Sequence, residues 1–408
     1  MLARSIIKKA FADIGPRAPI SFLLTFSDGT TYTNRSDEPA VRVTFNTARA
    51  ERRTMLFQDV GFAESYFNGE IDIEGDILGF MRLSYLMQSG TNPLNTIRNH
   101  WHEFTYSNHS IAQAKKNALF HYNRGTEMFR KYLDPSMTYT CAYWKEGVEN
   151  VGQAQDAKNA HVLKKLNLKE GMSMVDIGGG WGPLLMMAAE RYGVKGVNVS
   201  PTPDQNRAMQ AELDRRGFSH MIEIQECDFR EATGVYDRYV SLGVYEHAGR
   251  DQLEAWIKKM AEQTKEGGIG LLHFIGTIHG GISRTGLFIR KYVFPGGYLP
   301  GLAETIELMA KHNLEILDVE NLRRHYHYTL KAWAENFDAH WEEIHALDPV
   351  RYDERFRRVW RYYLYGCACV FIQSETSYTQ SEIGLFQIVF SKGKTVDYPM
   401  TREFLYRE

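Results

Sequence analysis

The stretch Met174-Val175-Asp176-Ile177-Gly178-Gly179-Gly180-Trp181-Gly182 reads as a buried strand, a glycine turn and then a helix starting near Pro183. Glycines let backbone N–H groups approach a ligand closely, because no Cβ intervenes. The helix that follows aims its positive N-terminus into the same space. Asp176, at the strand's end, is placed to orient a polar, partly cationic ligand. A dinucleotide fingerprint asks for Gly-x-Gly-x-x-Gly and an acid about twenty residues further on. Here Pro183 stands at the third position, and the next strand ends in Asn198-Val199-Ser200 with no acid. That argues against a nicotinamide cofactor and leaves a nucleoside-type ligand such as S-adenosylmethionine.

Further candidates sit at expected strand ends. Glu246 and His247 follow the strand ending at Leu242, His273 and Ile275 follow Leu271-Leu272, and Asp228 and Phe229 follow Ile222–Gln225. In an open α/β sheet such ends converge on one crevice. Each residue also has an ordinary reading. A strand-end glutamate is commonly a helix cap or a solvated acid. A single histidine such as His273 is commonly a core residue, and Tyr139 and Tyr326 by themselves read as packing. Jointly, a buried acid beside a histidine near a glycine-rich turn is the pattern of a tuned site.

The elements that must position these groups follow from the order of the chain. From Ser173 onward strands and helices alternate: Met174–Ile177, a helix, Val194–Val199, a helix from Asp204, Ile222–Gln225, Arg238–Leu242, a helix over Asp251–Glu262 and Gly268–Phe274. This alternation predicts an α/β fold with a doubly wound parallel sheet. Gln153 to Leu166 is an amphipathic helix before it. Beyond Phe274 the regular pattern breaks; Leu302–His312, Thr329–Leu347 and Tyr352–Ile372 read as helices and Gly384–Ser391 as a last strand. Residues 1–110 read as a smaller N-terminal α+β domain with no catalytic cluster. It contains a helix over Arg4–Phe11, a hairpin turning at Asp28-Gly29, a strand Val41–Phe45 and helices over Phe62–Phe67 and Ile77–Met87. Its expected role is to present lipid or to mediate a homodimer. A linker is expected within Gly90–His109, and residues 111–408 form the catalytic domain.

Bulk properties exclude several classes. The 408 residues carry a net charge of −2, which gives no global pull toward nucleic acid. No apolar run reaches the roughly 18–20 residues of a membrane span, and no leader pattern is evident, so the cytoplasm is the expected compartment. The 4 cysteines are too few and scattered for a disulfide framework or a structural zinc site, and no metal is expected. Aromatic residues make up 13%, which suits a large apolar ligand.

A resemblance then emerges. Thr138-Tyr139-Thr140-Cys141-Ala142-Tyr143-Trp144, Val175 to Gly182, Tyr245-Glu246-His247, Leu272-His273-Phe274-Ile275-Gly276, Lys291-Tyr292-Val293-Phe294-Pro295 and Phe356 to Tyr363 resemble, in order, the cyclopropane-fatty-acyl-phospholipid synthases. The likeness covers roughly residues 115–395. It implies a Rossmann-like class I methyltransferase fold and an S-adenosylmethionine-dependent attack on a cis double bond of an unsaturated phospholipid acyl chain. Tyr139 and Thr140 match the family's cofactor-contacting tyrosine–serine pair. Asp176, Gly178, Gly179, Gly180 and Gly182 match its glycine turn, with Gly179 where cysteine is usual. The family's Thr-Leu-Ser-x-x-Gln segment aligns with Ser200 to Gln205, which implies that Ser200 and Gln205 take the ribose contacts, with Pro201 beside them among the cofactor-binding residues. Asp228 and Phe229 fall where adenine is held.

An alkene is a poor nucleophile, so the sulfonium methyl must be aimed at it in a dry site. Methyl transfer leaves a carbocation on the chain, which aromatic faces can stabilise. A base must then take a proton from the new methyl for the ring to close. The resemblance implies that this base is a bound bicarbonate, in a pocket matching Cys141, Glu246, His273, Ile275 and Tyr326. Cys141 and Ile275 would offer backbone groups, and His273 and Tyr326 hydrogen bonds. Glu246, beside an anion, should have a raised pKa. Cys367 matches the family's C-terminal cysteine; no thiol nucleophile is required, and it reads as a small buried apolar residue.

A peripheral membrane surface is the expected partner. It would be reached through Phe288–Phe294 and a helix bearing Arg351, Arg355, Arg357, Arg358 and Arg361. The competing reading of that helix is a salt-bridged one. Ser374–Glu382, usually basic in the family, is rich in Ser and Thr here. Other functions compatible with the sequence are a methyltransferase leaving a methyl-branched, methylene or methoxylated chain, one acting on an amine, and a non-catalytic lipid carrier.

Overall fold

A computed structural model describes residues 2–86, 93–122, 124–278, 286–372 and 383–407. The Ser374–Glu382 segment lies outside the described residues, as does part of the expected linker. The chain forms two compact units. The first comprises Met1–Thr105, Gly286–Val293 and Trp333–Ser381; the second comprises Tyr106–Thr285, Phe294–Ala332 and Glu382–Glu408. The division therefore differs from a single cut near residue 110: the first unit takes two later segments, and the cut at Ala332/Trp333 falls inside the helix Arg323–Ala339.

The first unit has a four-stranded sheet of β1 (Phe22–Thr25), β2 (Thr31–Thr33), β3 (Val41–Phe45) and β4 (Ile71–Gly75), in the order β2-β1-β3-β4. β1 and β2 form the expected antiparallel hairpin. The alternation of Val41, Val43 and Phe45 inward with Arg42 outward is the period-2 pattern of a half-buried strand. These side chains pack with Phe11, Phe22, Phe62 and Phe67 in one core. Val359 and Cys369 of the helix Glu354–Phe371 join that core.

That helix corrects one sequence-based expectation. Its arginines are largely committed within their own unit. Arg358 pairs with Asp72 at 2.7 Å and Glu354 at 3.0 Å, and Arg361 pairs with Asp338 at 2.7 Å. Arg357 lies 3.6 Å from Glu354. Phe288 and Tyr292 pack against Phe67 and Tyr362, and Lys291 pairs with Glu64 at 2.8 Å. The salt-bridged reading describes Arg357, Arg358 and Arg361; Arg355 stays exposed, 3.5 Å from Asn68 Oδ1.

The second unit has a seven-stranded sheet. Its strands are β5 (Ser173–Ile177), β6 (Lys195–Val199), β7 (Ile222–Gln225), β8 (Tyr236–Leu242), β9 (Thr264–Thr277), β10 (Leu314–Asn321) and β11 (Ile383–Lys392). The order is β10-β11-β9-β8-β5-β6-β7. The pairs from β9 through β7 are parallel, and β11 runs antiparallel to both β9 and β10. This is the expected α/β doubly wound arrangement with an antiparallel edge. The strand order reverses beside β5, which places a ligand crevice at its carboxyl end. Core side chains cover both faces: Ile257, Met260 and Phe274 in one cluster, Leu163, Leu185 and Met209 in the other.

Ahead of the sheet lie two short helices, Ile111–Tyr122 and Thr126–Tyr132, with Gly125 at φ +94° between them, and one expected helix is split in two. Thr329–Leu347 falls across Arg323–Ala339 and Trp341–Leu347. The expected linker contains a helix, Pro93–Tyr106. No helix among the described residues is long and apolar enough to cross a membrane.

Candidate active site

The glycine turn is built as its residue types demand. Gly178, Gly180 and Gly182 adopt φ of +79°, +59° and +82°, values that side chains with a Cβ rarely take. The N–H of Gly179 donates to Asn198 Oδ1 at 3.1 Å. Asn198, where a dehydrogenase would carry its acid, therefore braces the turn. A Cβ on Gly179 would come within 2.6 Å of Asp176 Oδ2 and 2.7 Å of Asn198 Oδ1. A Cβ on Gly180 would meet nothing within 4 Å, so the turn fronts open space there.

That space is a cavity at the carboxyl ends of the parallel strands. Tyr139, Thr140, Asp176, Gly178, Gly179, Gly180, Ser200, Pro201, Gln205, Asp228 and Phe229 all line it. Of the expected cofactor residues only Gly182 does not; it is the N-cap of the helix Pro183–Tyr192 and packs under Met209. Gln155 fixes the tyrosine–threonine loop by donating to the carbonyls of Thr138 (3.2 Å) and Thr140 (2.7 Å). Asp228 is held by Arg230 at 2.7 Å, and Phe229 packs on Trp256 with ring centroids 4.3 Å apart.

Several buried polar atoms around this cavity have no partner: Asp176 Oδ1, Thr140 Oγ1 and Asn198 Nδ2. Orphaned buried groups of this kind call for a ligand or water. Burial raises the Asp176 carboxyl to about 7, opposed by the nearby Lys158 charge. Lys158 itself is pulled down to about 8 by burial, against Asp134 and Asp176. A nucleoside flanked by a zwitterionic amino acid fits these donors, acceptors and aromatic walls.

Lys158 and Asn159 also line the cavity, as do Trp181 and His247. The sequence reading missed Lys158. Its signal was positional, since it lies four residues after Ala154 and four before Val162, on the buried stripe of the helix Val151–Lys165.

The other expected group lies beside this cavity and does not line it. Cys141, Ile275 and Tyr326 meet in one small apolar cluster with Tyr143, Leu322 and Leu385. Glu246, on the turn Tyr245–His247, accepts a short hydrogen bond from the Ile275 N–H through Oε1. That N–H, expected to face an anion, is thus used by Glu246. Glu246 Oε2 is buried without a partner. Burial raises its carboxyl to about 7. His273 precedes Ile275 by two residues on β9, so both side chains leave the same face. It is 1% exposed, and burial drops its pKa to about 3. Burial pushes the Cys141 thiol up, so it is not a thiolate at neutral pH. Helix Arg323–Ala339 anchors the adjoining loop: Thr329 accepts from the Ala142 N–H at 3.1 Å, and His325 from the Trp144 N–H at 2.9 Å. Cys367 is not in this cluster. It lies in the first unit on the helix Glu354–Phe371, and burial pushes its thiol up to about 12.

Comparison with known proteins agrees with this architecture. Residues 109–381 match the family model of mycolic acid cyclopropane synthetase. The chain is 37% identical over 289 residues to the cyclopropane-fatty-acyl-phospholipid synthase of Escherichia coli, covering 69% of this chain and 70% of that one. It is 34% identical over 297 residues to a probable fatty acid methyltransferase of Pseudomonas putida, covering 71% and 73%. The solved cyclopropane synthase MmaA2 of Mycobacterium tuberculosis superposes with a TM-score of 0.62 at 28% identity, over 68% of this chain and 98% of that one. The chain therefore belongs to the mycolic acid cyclopropane synthetase family and is an S-adenosylmethionine-dependent methyltransferase of the α/β class.

Proposed function

We propose that the protein converts the cis double bond of an unsaturated phospholipid acyl chain into a cyclopropane, with bicarbonate as the base. When bound, S-adenosylmethionine supplies the methyl that becomes the ring carbon, and bicarbonate supplies a proton acceptor. The chain's own residues orient and exclude water. Asp176 and Lys158 offer opposite charges to an amino-acid end, and Trp256 and Phe229 offer faces to a base. The apolar cluster of Cys141, Ile275 and Tyr326 suits an olefin and keeps water from a carbocation.

The observation that carries the reading is the Glu246 carboxyl. It is buried, titrates near neutrality, is held through one oxygen by Ile275 and has its other oxygen unpartnered. A protonated Glu246 can donate from Oε2 to a small anion, which removes the like-charge objection to an acid in such a pocket. Incubation with unsaturated phospholipid vesicles and labelled cofactor, with and without bicarbonate, tests this. Cyclopropane product that depends on bicarbonate is expected; product formed equally well in its rigorous absence contradicts that part of the reading.

Contact with a lipid surface has support in a place the sequence reading did not consider. On the helix Pro93–Tyr106, Leu94, Ile97, Trp101 and Phe104 are 52–81% exposed at spacings that share one face. Aromatic and aliphatic side chains so displayed suit interfacial insertion. A second reading of the product, a methyl-branched chain, is favoured by similarity to the Pseudomonas putida relative and by 29% identity to the tuberculostearic acid methyltransferase of Mycobacterium tuberculosis. Proton spectra of the product separate the two, because only the cyclopropane shows upfield ring protons.

A further inference from the structure

His273, Gln387 and Glu320 lie on one rung across three strands. Gln387 is the register partner of His273 between β11 and β9, and of Glu320 between β11 and β10. The helix Val151–Lys165 covers this rung with His161 and Lys165, one turn apart. His273, Gln387 and Lys165 are almost wholly buried. Lys165 Nζ donates to Glu320 Oε2 at 2.5 Å and to Gln387 Oε1 at 2.8 Å. His161 Nε2 contacts the same Glu320 oxygen at 2.8 Å. Gln387 Nε2 lies 3.1 Å from His273 Nδ1.

The polarity of this chain of contacts is forced. An ammonium group can only donate, so the Gln387 atom facing Lys165 must be the amide oxygen. The amide nitrogen then faces His273, and it can only donate. His273 Nδ1 must therefore accept, and a neutral imidazole with an accepting Nδ1 carries its proton on Nε2. Among the described residues no hydrogen bond reaches Nε2. The Glu320 carboxyl, against the effect of burial, is held at about 2 by the His161 hydrogen bond and the Lys165 charge, so the relay starts from a fixed negative charge.

We propose that Glu320, Lys165 and Gln387 are a positioning relay that locks His273 as the Nε2–H tautomer, making it a hydrogen-bond donor in the site and not the proton-abstracting base. This rests on the proposed function only for what the donor serves, a small anion; the tautomer itself is independent of turnover. The charged groups that act on His273 are Lys158, Lys165 and Glu320; burial and the two lysines oppose protonation of the ring, and Glu320 favours it.

Histidine-selective 15N NMR of the full chain reads the tautomer, with the His273→Asn spectrum used for assignment. Wild-type His273 is expected to show a protonated Nε2 and a bare Nδ1, unprotonated down to pH 5. Gln387→Glu puts an acceptor against Nδ1; it should move the proton to Nδ1 and lower kcat about tenfold or more, with cofactor Kd unchanged. Lys165→Met frees the amide to rotate and should give a mixture of tautomers. A wild-type His273 protonated on Nδ1, or titrating near pH 6.5, overturns the relay. So does a tautomer unchanged in both variants. If vesicle assays yield no cyclopropane while the Nε2–H signature is present, the functional reading fails and the relay stands.

Discussion

The cofactor crevice and the rung under His273 belong to the same sheet but are made in different ways. The crevice is local. Its turn, Gly178 to Gly182, spans a few residues and depends on backbone angles that glycine permits. The rung is assembled from Lys165, His273, Glu320 and Gln387, which the register of three strands and one helix brings together. Backbone-built sites tolerate side-chain change elsewhere but not a Cβ in the turn. Networks built from side chains fail when any donor or acceptor is reversed.

Substitutions can separate the two kinds of site. The largest expected effect is at Glu246. Glu246→Leu keeps the bulk but removes both the acceptor of the Ile275 N–H and the donor to the anion, and should lower kcat by about 10²–10³-fold while leaving cofactor Kd within a factor of about two; Glu246→Gln, which can still accept and donate there, should lose far less. Stopped turnover with intact binding, read by calorimetry, checks it; lost binding would merge the two regions into one. Asp176→Asn should do the converse, weakening cofactor binding about tenfold or more through loss of one charge-assisted contact, with the melting temperature held or raised. Gly180→Ala comes next. Its Cβ meets nothing in the protein, so the expected loss of stability is only the cost of the left-handed backbone, about 1 kcal/mol. The loss in cofactor affinity should exceed that, because the methyl enters the cavity.

The smallest effect is a pH dependence of stability. The Glu246 carboxyl titrates at about 7 in the folded protein against an ordinary 4.5. The folded chain therefore keeps a proton that the unfolded chain releases. Its contribution is full below pH 4.5 and is lost as pH rises through about 7. Glu246→Gln removes that loss, so the variant should gain on the wild type in denaturant midpoint between pH 5 and pH 8. A constant gap between the two would show that Glu246 is ionised when buried.

How much could be read beforehand follows the same division. The strands Met174–Ile177 and Ile222–Gln225, the glycine turn and the cavity-lining Ser200, Gln205, Asp228 and Phe229 were legible because each sits in a short motif or at a strand end. β10 was not. Leu314–Asn321 is an edge strand with Glu315, Asp318 and Glu320 interrupting its apolar residues, and only its pairing with the distant β11 makes it a strand. β4 is hidden in the sequence because the turn-forming pairs Asn68-Gly69 and Glu74-Gly75 closely flank so short a strand. The arginines of the helix Glu354–Phe371 look like a phosphate-binding face until Asp72 and Asp338 are seen to pair with them. The exposed stripe ending at Trp101 and Phe104 was hidden in a segment polar enough to pass for a linker.

Proton loss from the transferred carbon is the step that most needs proof. Cofactor bearing a trideuterated methyl, incubated with unsaturated phospholipid vesicles and bicarbonate, reports it in the mass of the acyl product. Expected is a chain that keeps two deuterons and has lost the third, with upfield ring signals and no olefinic protons. A branched, still unsaturated chain that retains all three, its proton lost from a chain carbon instead, would show that the proton is not taken from the transferred carbon, and would contradict the role given to Glu246 and its neighbours.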